Sequence, residues 1–123
     1  TVRVDRDSYI ADLARSRTFC FEHEVAYLRS QGLAQGGALD NAIVIAKDRF
    51  MTSADGLRYP DEFVRHKVLD LIGDLTLTGR PLFNMRVEAE CLGHGHNVEF
   101  AKRLCEAAKE MRKPKTRTTK VGV

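Results

Sequence analysis

The chain has 123 residues, 43% of them apolar, with 20 Lys and Arg against 17 Asp and Glu. That length suits one domain with one modest core. No apolar run approaches the roughly 20 residues of a membrane span, and the opening "TVRVDRDSYI" has no apolar signal region. A cytoplasmic location without stable membrane insertion is therefore expected. Cys20, Cys91 and Cys105 are odd in number and widely spaced, which argues against a disulfide framework and a cysteine-rich zinc site.

The charge is uneven. From Lys109 to the end there are six Lys or Arg against one Glu, while the preceding residues carry 14 Lys and Arg against 16 Asp and Glu. The body is near neutral, and "RKPKTRTTKVGV" reads as a disordered tail or linker over 113–123. It lacks the aromatic interleaving of a nucleic-acid arm, so no nucleic-acid partner is expected.

In chain order, "TVRV" alternates as a strand, and its position at the first residue suggests a piece of a longer protein. Ser8 to Ala14 reads as a short helix, with Ser8 as its cap. "TFCF" favours a strand. "HEVAYLRSQ" places Val25, Tyr27 and Leu28 at helical spacing and stops before Gly32, and "NAIVIA" reads as a buried strand. Residues 18–46 thus form an expected β-α-β unit turned by Gly36-Gly37. After the turn signal "SADG", a helix is expected from Pro60 to about Thr78, with Asp61 and Glu62 at its positive end. "LFNMRVEAE" alternates as a further strand. A last helix is expected over 97–112, with Phe100, Ala101, Leu104, Ala107, Ala108 and Met111 on one face. The fold class expected is α+β, a two-layer sandwich with a small insert.

At about 100° per residue, Asp70 lies about 40° and Asp74 about 80° from His66, opposite a core face of Val64, Val68, Leu71, Ile72 and Leu75. A His and an Asp at i, i+4 can share a metal because their side chains stack along one face. The same spacing also describes a solvated face with an ion pair, and two ligands are too few for a catalytic zinc. His23, on a short amphipathic helix, reads as surface. His94 and His96 in "LGHGHNVEF" sit where a strand is expected to meet a helix, and serve equally as a loop pair or as a site.

The order "RTFCF", "LRSQGLAQGGALDNAIVI", "GLRYPDEFVRHKVLDLIGDL", "GHGHN" resembles the C-terminal half of the UDP-3-O-acyl-N-acetylglucosamine deacetylases, zinc enzymes of lipid A synthesis, over residues 1–112. The resemblance implies a hydrolase acting on UDP-3-O-acyl-N-acetylglucosamine, with Zn2+ as cofactor and two similar domains facing each other. His66 and Asp70 then look like two of the three zinc ligands. His94 is similar to the catalytic histidine, with His96 as the alternative, and Asp74 to the aspartate that orients it. Lys67 looks like a charge beside the substrate, Thr18 like the hydroxyl that meets the oxyanion, and Phe19 like the ring packed on the sugar. The insert, including Ala42 and Val44, corresponds to a passage for the acyl chain. Cys20 stands where the family usually has Gly. The third ligand and a glutamate base are implied to come from the N-terminal half of the same enzyme, which makes this chain alone inactive. A different class remains open, a binding module that keeps the lipid or nucleotide-sugar contact without catalysis.

Overall fold

A computed structural model of the chain describes residues 1–51, 56–80 and 85–112. It is a mixed α+β chain that divides into two compact units, residues 1–70 and 71–123. The basic tail expected over 113–123, and all of the "SADG" turn but Gly56, lie outside the described residues.

The first unit opens without a strand, because residues 1–4 are irregular and exposed. Among the described residues no strand pairs with this segment, so the alternation of "TVRV" alone did not suffice. Helix α1 (Arg6–Ser8) runs into a π-helical turn over Tyr9–Leu13. Its cap is Asp5, whose carboxylate accepts from the Ser8 N–H at 2.9 Å, while the Ser8 hydroxyl accepts from the Asp5 N–H at 2.9 Å. Ser8 therefore closes a capping box at its third position and is not the cap. Leu13 ends this turn fully buried.

Strand β1 (Thr18–Phe21), helix α2 (Glu22–Ser30) and strand β2 (Ala42–Ile45) make the β-α-β unit, with β1 and β2 parallel. The register pairs Thr18 with Ala42 and Cys20 with Val44. Alternation then puts Ile43, fully buried, on the opposite face. The short β3 (Phe50–Met51) adds antiparallel to β2, giving the order β1-β2-β3.

Helix α2 ends at a glycine. Gly32 has φ +73°, its N–H bonds Arg29 O at 3.0 Å, and the Leu33 N–H bonds Leu28 O at 2.9 Å, a Schellman closure that needs a left-handed residue. The next left-handed residue is Ala34 (φ +54°), and the Gly37 N–H bonds Ala34 O at 3.1 Å, so the Gly36-Gly37 pair lies in a turn as expected. Tyr27 is exposed, so the inner stripe of α2 is Val25 and Leu28.

Helix α3 (Glu62–Leu75) follows Pro60, and a 3-10 turn over Thr76–Thr78 ends at Gly79 with φ +64°. Glu62 stands in the first turn of α3 as expected, but it is buried. Its side chain has 0% exposure and pairs with Arg17, itself 2% exposed. Oε1 accepts from the Arg17 backbone N–H and Nε, both at 2.9 Å, and Oε2 accepts from Arg17 Nη2 at 3.0 Å and the Arg58 N–H at 2.7 Å. Arg17 Nη2 also reaches Gly56 O at 2.7 Å. Val64, expected in the core, is 64% exposed.

In the second unit, residues 85–90 are irregular, so the described part of "LFNMRVEAE" is not a strand. Helix α4 (His94–Arg112) begins three residues earlier than expected. Its inward stripe is Asn97, Ala101, Leu104, Cys105 and Ala108, while Phe100 and Met111 are exposed, Met111 at 87%. The helical period was right and the facing was rotated, because a buried polar Asn97 takes a core position.

Burial pushes the Glu62 carboxyl up, but the Arg17 and Arg58 hydrogen bonds outweigh it and hold it at about 2, below its ordinary 4.5. A depressed carboxylate stabilises the fold above its unfolded value and loses that contribution as pH falls through the folded one. About 3 kcal/mol of stability should therefore disappear between roughly pH 4.5 and pH 2. Denaturant melts across that window should show the loss in wild type. They should show a much flatter acid limb in Glu62→Leu, whose stability is already reduced.

Candidate functional site

The first unit gathers one cluster around helix α3. His66 and Asp70 stand one helical turn apart, with side chains 14% and 11% exposed, and His66 Nε2 lies 3.2 Å from Asp70 Oδ1. Nδ1 of His66 lies 3.2 Å from the Ser16 carbonyl. A carbonyl only accepts, so Nδ1 carries the hydrogen in this contact and Nε2 is left to face Asp70. The other oxygen of Asp70 accepts from Lys67 Nζ at 3.0 Å.

The hydrogen-bonded Nδ1 and the salt-bridged outer oxygen are the kind of support that orients metal ligands. In a tetrahedral zinc site with bonds of about 2.0–2.1 Å, two ligand atoms sit about 3.3 Å apart. The pair therefore fits as two ligands of one divalent ion. Among the described residues, no group of three or more His, Cys, Asp or Glu side chains could hold a metal, so the described residues gather two such donors here and no complete set.

Phe19 on β1 packs edge-on to Phe63 at 4.9 Å and to His66 at 6.2 Å, and Lys67 Nζ lies 5.2 Å from its ring centre. An ammonium over an aromatic face is held by the ring quadrupole. Phe19, His66, Lys67 and Asp70 thus share one neighbourhood. Thr18, at the head of β1, is exposed.

On the face of the sheet opposite Phe19 and Ile43 lies an apolar cavity of about 140 Å³, lined by Cys20, Val25, Leu28, Leu39, Ala42 and Val44. Ala42 and Val44 are there because alternate residues of β2 face the same side. Burial, and then the Glu24 charge, push the Cys20 thiol above its ordinary 9.0.

In the second unit, His94 Nδ1 meets Asp74 Oδ2 at 2.8 Å, and the Asn97 side-chain amide donates to the same oxygen at 2.9 Å. The carboxylate can only accept, which places a hydrogen on Nδ1 of a ring whose side chain is 67% exposed. His94 occupies the first position of α4, not a loop before it. His96 is exposed, and so is His23, stacked on Phe21 at 5.6 Å.

Sequence reasoning did not single out Ser16, whose contribution is a backbone carbonyl invisible in residue type. It also passed over Asn97, although the "GHGHN" motif contained it.

A His–Asp pair on α3 and, separately, a histidine at the head of α4 held by Asp74 are groups of the kind that bind metals or move protons. The sequence profile of the UDP-3-O-acyl N-acetylglycosamine deacetylases matches residues 1–106, and the chain belongs to that family. It is similar to the UDP-3-O-acyl-N-acetylglucosamine deacetylase of Chromobacterium violaceum, at 50% identity over 86% of this chain and 35% of the relative. The Teredinibacter turnerae enzyme of the same name is 50% identical over 85% of this chain and 34% of the relative. That of Saccharophagus degradans is 53% identical over 79% and 31%. The chain thus spans about a third of the length of these curated relatives.

Because Cys91 is exposed and Cys20 lines the cavity with a raised thiol pKa, a maleimide at neutral pH should label Cys91 first and Cys20 markedly more slowly. Peptide mapping over a time course checks this.

Proposed function

We propose that this chain is the second half of a zinc-dependent deacetylase that removes the N-acetyl group of UDP-3-O-acyl-N-acetylglucosamine in lipid A synthesis. The observation that carries this reading is the His66–Asp70 pair, with donor atoms 3.2 Å apart, in a chain of that family. On this reading residues 1–112 are a two-layer α/β domain with an insert at about 18–46. It pairs with a similar N-terminal half that brings the third ligand and a glutamate base. The short coverage of the relatives leaves room for such a half.

His66 and Asp70 would hold the zinc, which supplies Lewis acidity and a water acidified to near neutrality. The remaining steps fall to this chain's own groups. Thr18 donates its hydroxyl to the oxygen that gains charge at the acetyl carbon, and Lys67 adds positive charge beside it. His94, oriented by Asp74, donates a hydrogen bond to that charge and passes the proton on Nε2 to the leaving amine. Asn97 holds the Asp74 oxygen that receives His94. Phe19 packs on the sugar, and the cavity lined by Ala42 and Val44 takes the acyl chain. On this reading the reaction is cytoplasmic. No described helix is long and apolar enough to cross a membrane.

A non-catalytic lipid- or nucleotide-sugar-binding module is the second reading. It is favoured by one feature, the apolar cavity built wholly from residues 20–44.

In the full-length protein, Asp70→Ala should lose zinc. His94→Ala should keep zinc and lose about 10²–10⁴ in turnover, whereas retained activity would move the role to His96. The 123-residue chain alone should release no acetate from the substrate. Measured release by it would overturn the divided site.

A further inference from the structure

The peptide group between Ser16 and Arg17 is held at both ends by one helix. Its N–H donates to Glu62 Oε1 at 2.9 Å, and its C=O accepts from His66 Nδ1 at 3.2 Å. Glu62 and His66 lie four residues apart on α3, one above the other. A peptide group is planar and stiff, so holding its N–H sets the direction of its carbonyl. The Glu62 carboxylate is held in turn by the Arg17 guanidinium and the Arg58 N–H, with no exposure to water.

We infer that Glu62 is a positioning residue for His66, acting through the Ser16–Arg17 peptide group to keep the hydrogen of His66 on Nδ1 and leave Nε2 toward Asp70. This rests on the proposed ligand role of His66. The competing arrangement is close by. Nε2 stands 3.2 Å from Asp70 Oδ1, so an imidazole released from Ser16 can place its hydrogen on Nε2 and donate it to Asp70. That occupies both donor atoms with each other. The Ser16 carbonyl opposes this by accepting Nδ1–H, and Glu62, through the Arg17 N–H, keeps the carbonyl in place to do so.

The test uses the full-length protein that carries this chain. In its metal-free, ¹⁵N-labelled form, the His66 ring shifts should show a hydrogen on Nδ1. A bare Nδ1 with the hydrogen on Nε2 overturns the inference without any variant. Two substitutions then separate positioning from packing. Arg17→Lys disturbs the ion pair but spares the backbone N–H contact, while Glu62→Asp keeps the charge but draws the carboxylate back from the peptide. Both should lower the melting temperature. Only Glu62→Asp should populate the Nε2–H form and weaken zinc binding about 10–100-fold in chelator competition. Equal weakening in both variants, or none in Glu62→Asp, overturns it. If Glu62→Asp does not fold, the wild-type nitrogen shifts decide. Unchanged zinc affinity in His66→Ala removes the ligand role itself and leaves the tautomer result standing.

Discussion

The buried Arg17–Glu62 pair is the constraint on which the first unit depends. An ion pair taken out of water loses hydration worth several kcal/mol per ion, and is tolerated only when further hydrogen bonds satisfy it. Here four donor contacts converge on the Glu62 carboxylate. They come from the segment before β1 and from the loop before α3. A bidentate guanidinium is planar and permits one geometry. The pair therefore sets the angle at which β1 leaves the helix, and with it where Thr18 and Phe19 stand relative to His66. A well-packed apolar replacement could match its stability without setting that angle.

Around that clamp, polar groups are arranged in short relays. Ser16 Oγ donates to Leu13 O at 2.6 Å, tying the π-helical turn to the segment that faces His66. Lys67 bridges Asp70 and the ring of Phe19, so a carboxylate and an aromatic are positioned by one cation. In the second unit the same economy recurs on a smaller scale, where Asp74 Oδ2 receives both His94 and Asn97. A carboxylate held by two donors is more directional than one held by a single ion pair. Both clusters hold a histidine by its Nδ1.

The insert follows a different logic. Its cavity has almost no polar lining and is shaped by strand register and the helix stripe of Val25 and Leu28. Apolar contact is non-directional, so such a wall can take a flexible hydrocarbon without specific partners. Cys20 fits that wall as a neutral thiol, a small hydrophobe.

By itself the sequence determined the β-α-β unit, the existence of both long helices and the alignment of His66, Asp70 and Asp74 along one of them. These follow from local periodicity, a glycine stop after α2 and the proline before α3, which need no distant partner. The "RYPDEFVRHKVLDLIGDL" stretch also carried the family resemblance that the profile match bears out. Tertiary structure decided what depends on pairing across long separations. "TVRV" and residues 85–90 alternate like strands but form none in the described residues, since a strand exists only if another edge accepts its hydrogen bonds. Glu62 reads as a first-turn acid and is a buried anchor, because its partner Arg17 lies 45 residues away. Asn97 rotated the buried stripe of α4 by taking an inward position that polarity alone would refuse, its cost met by Asp74. The Ser16 carbonyl was beyond any reading of residue types, since every residue carries one and only the fold chooses which meets a histidine.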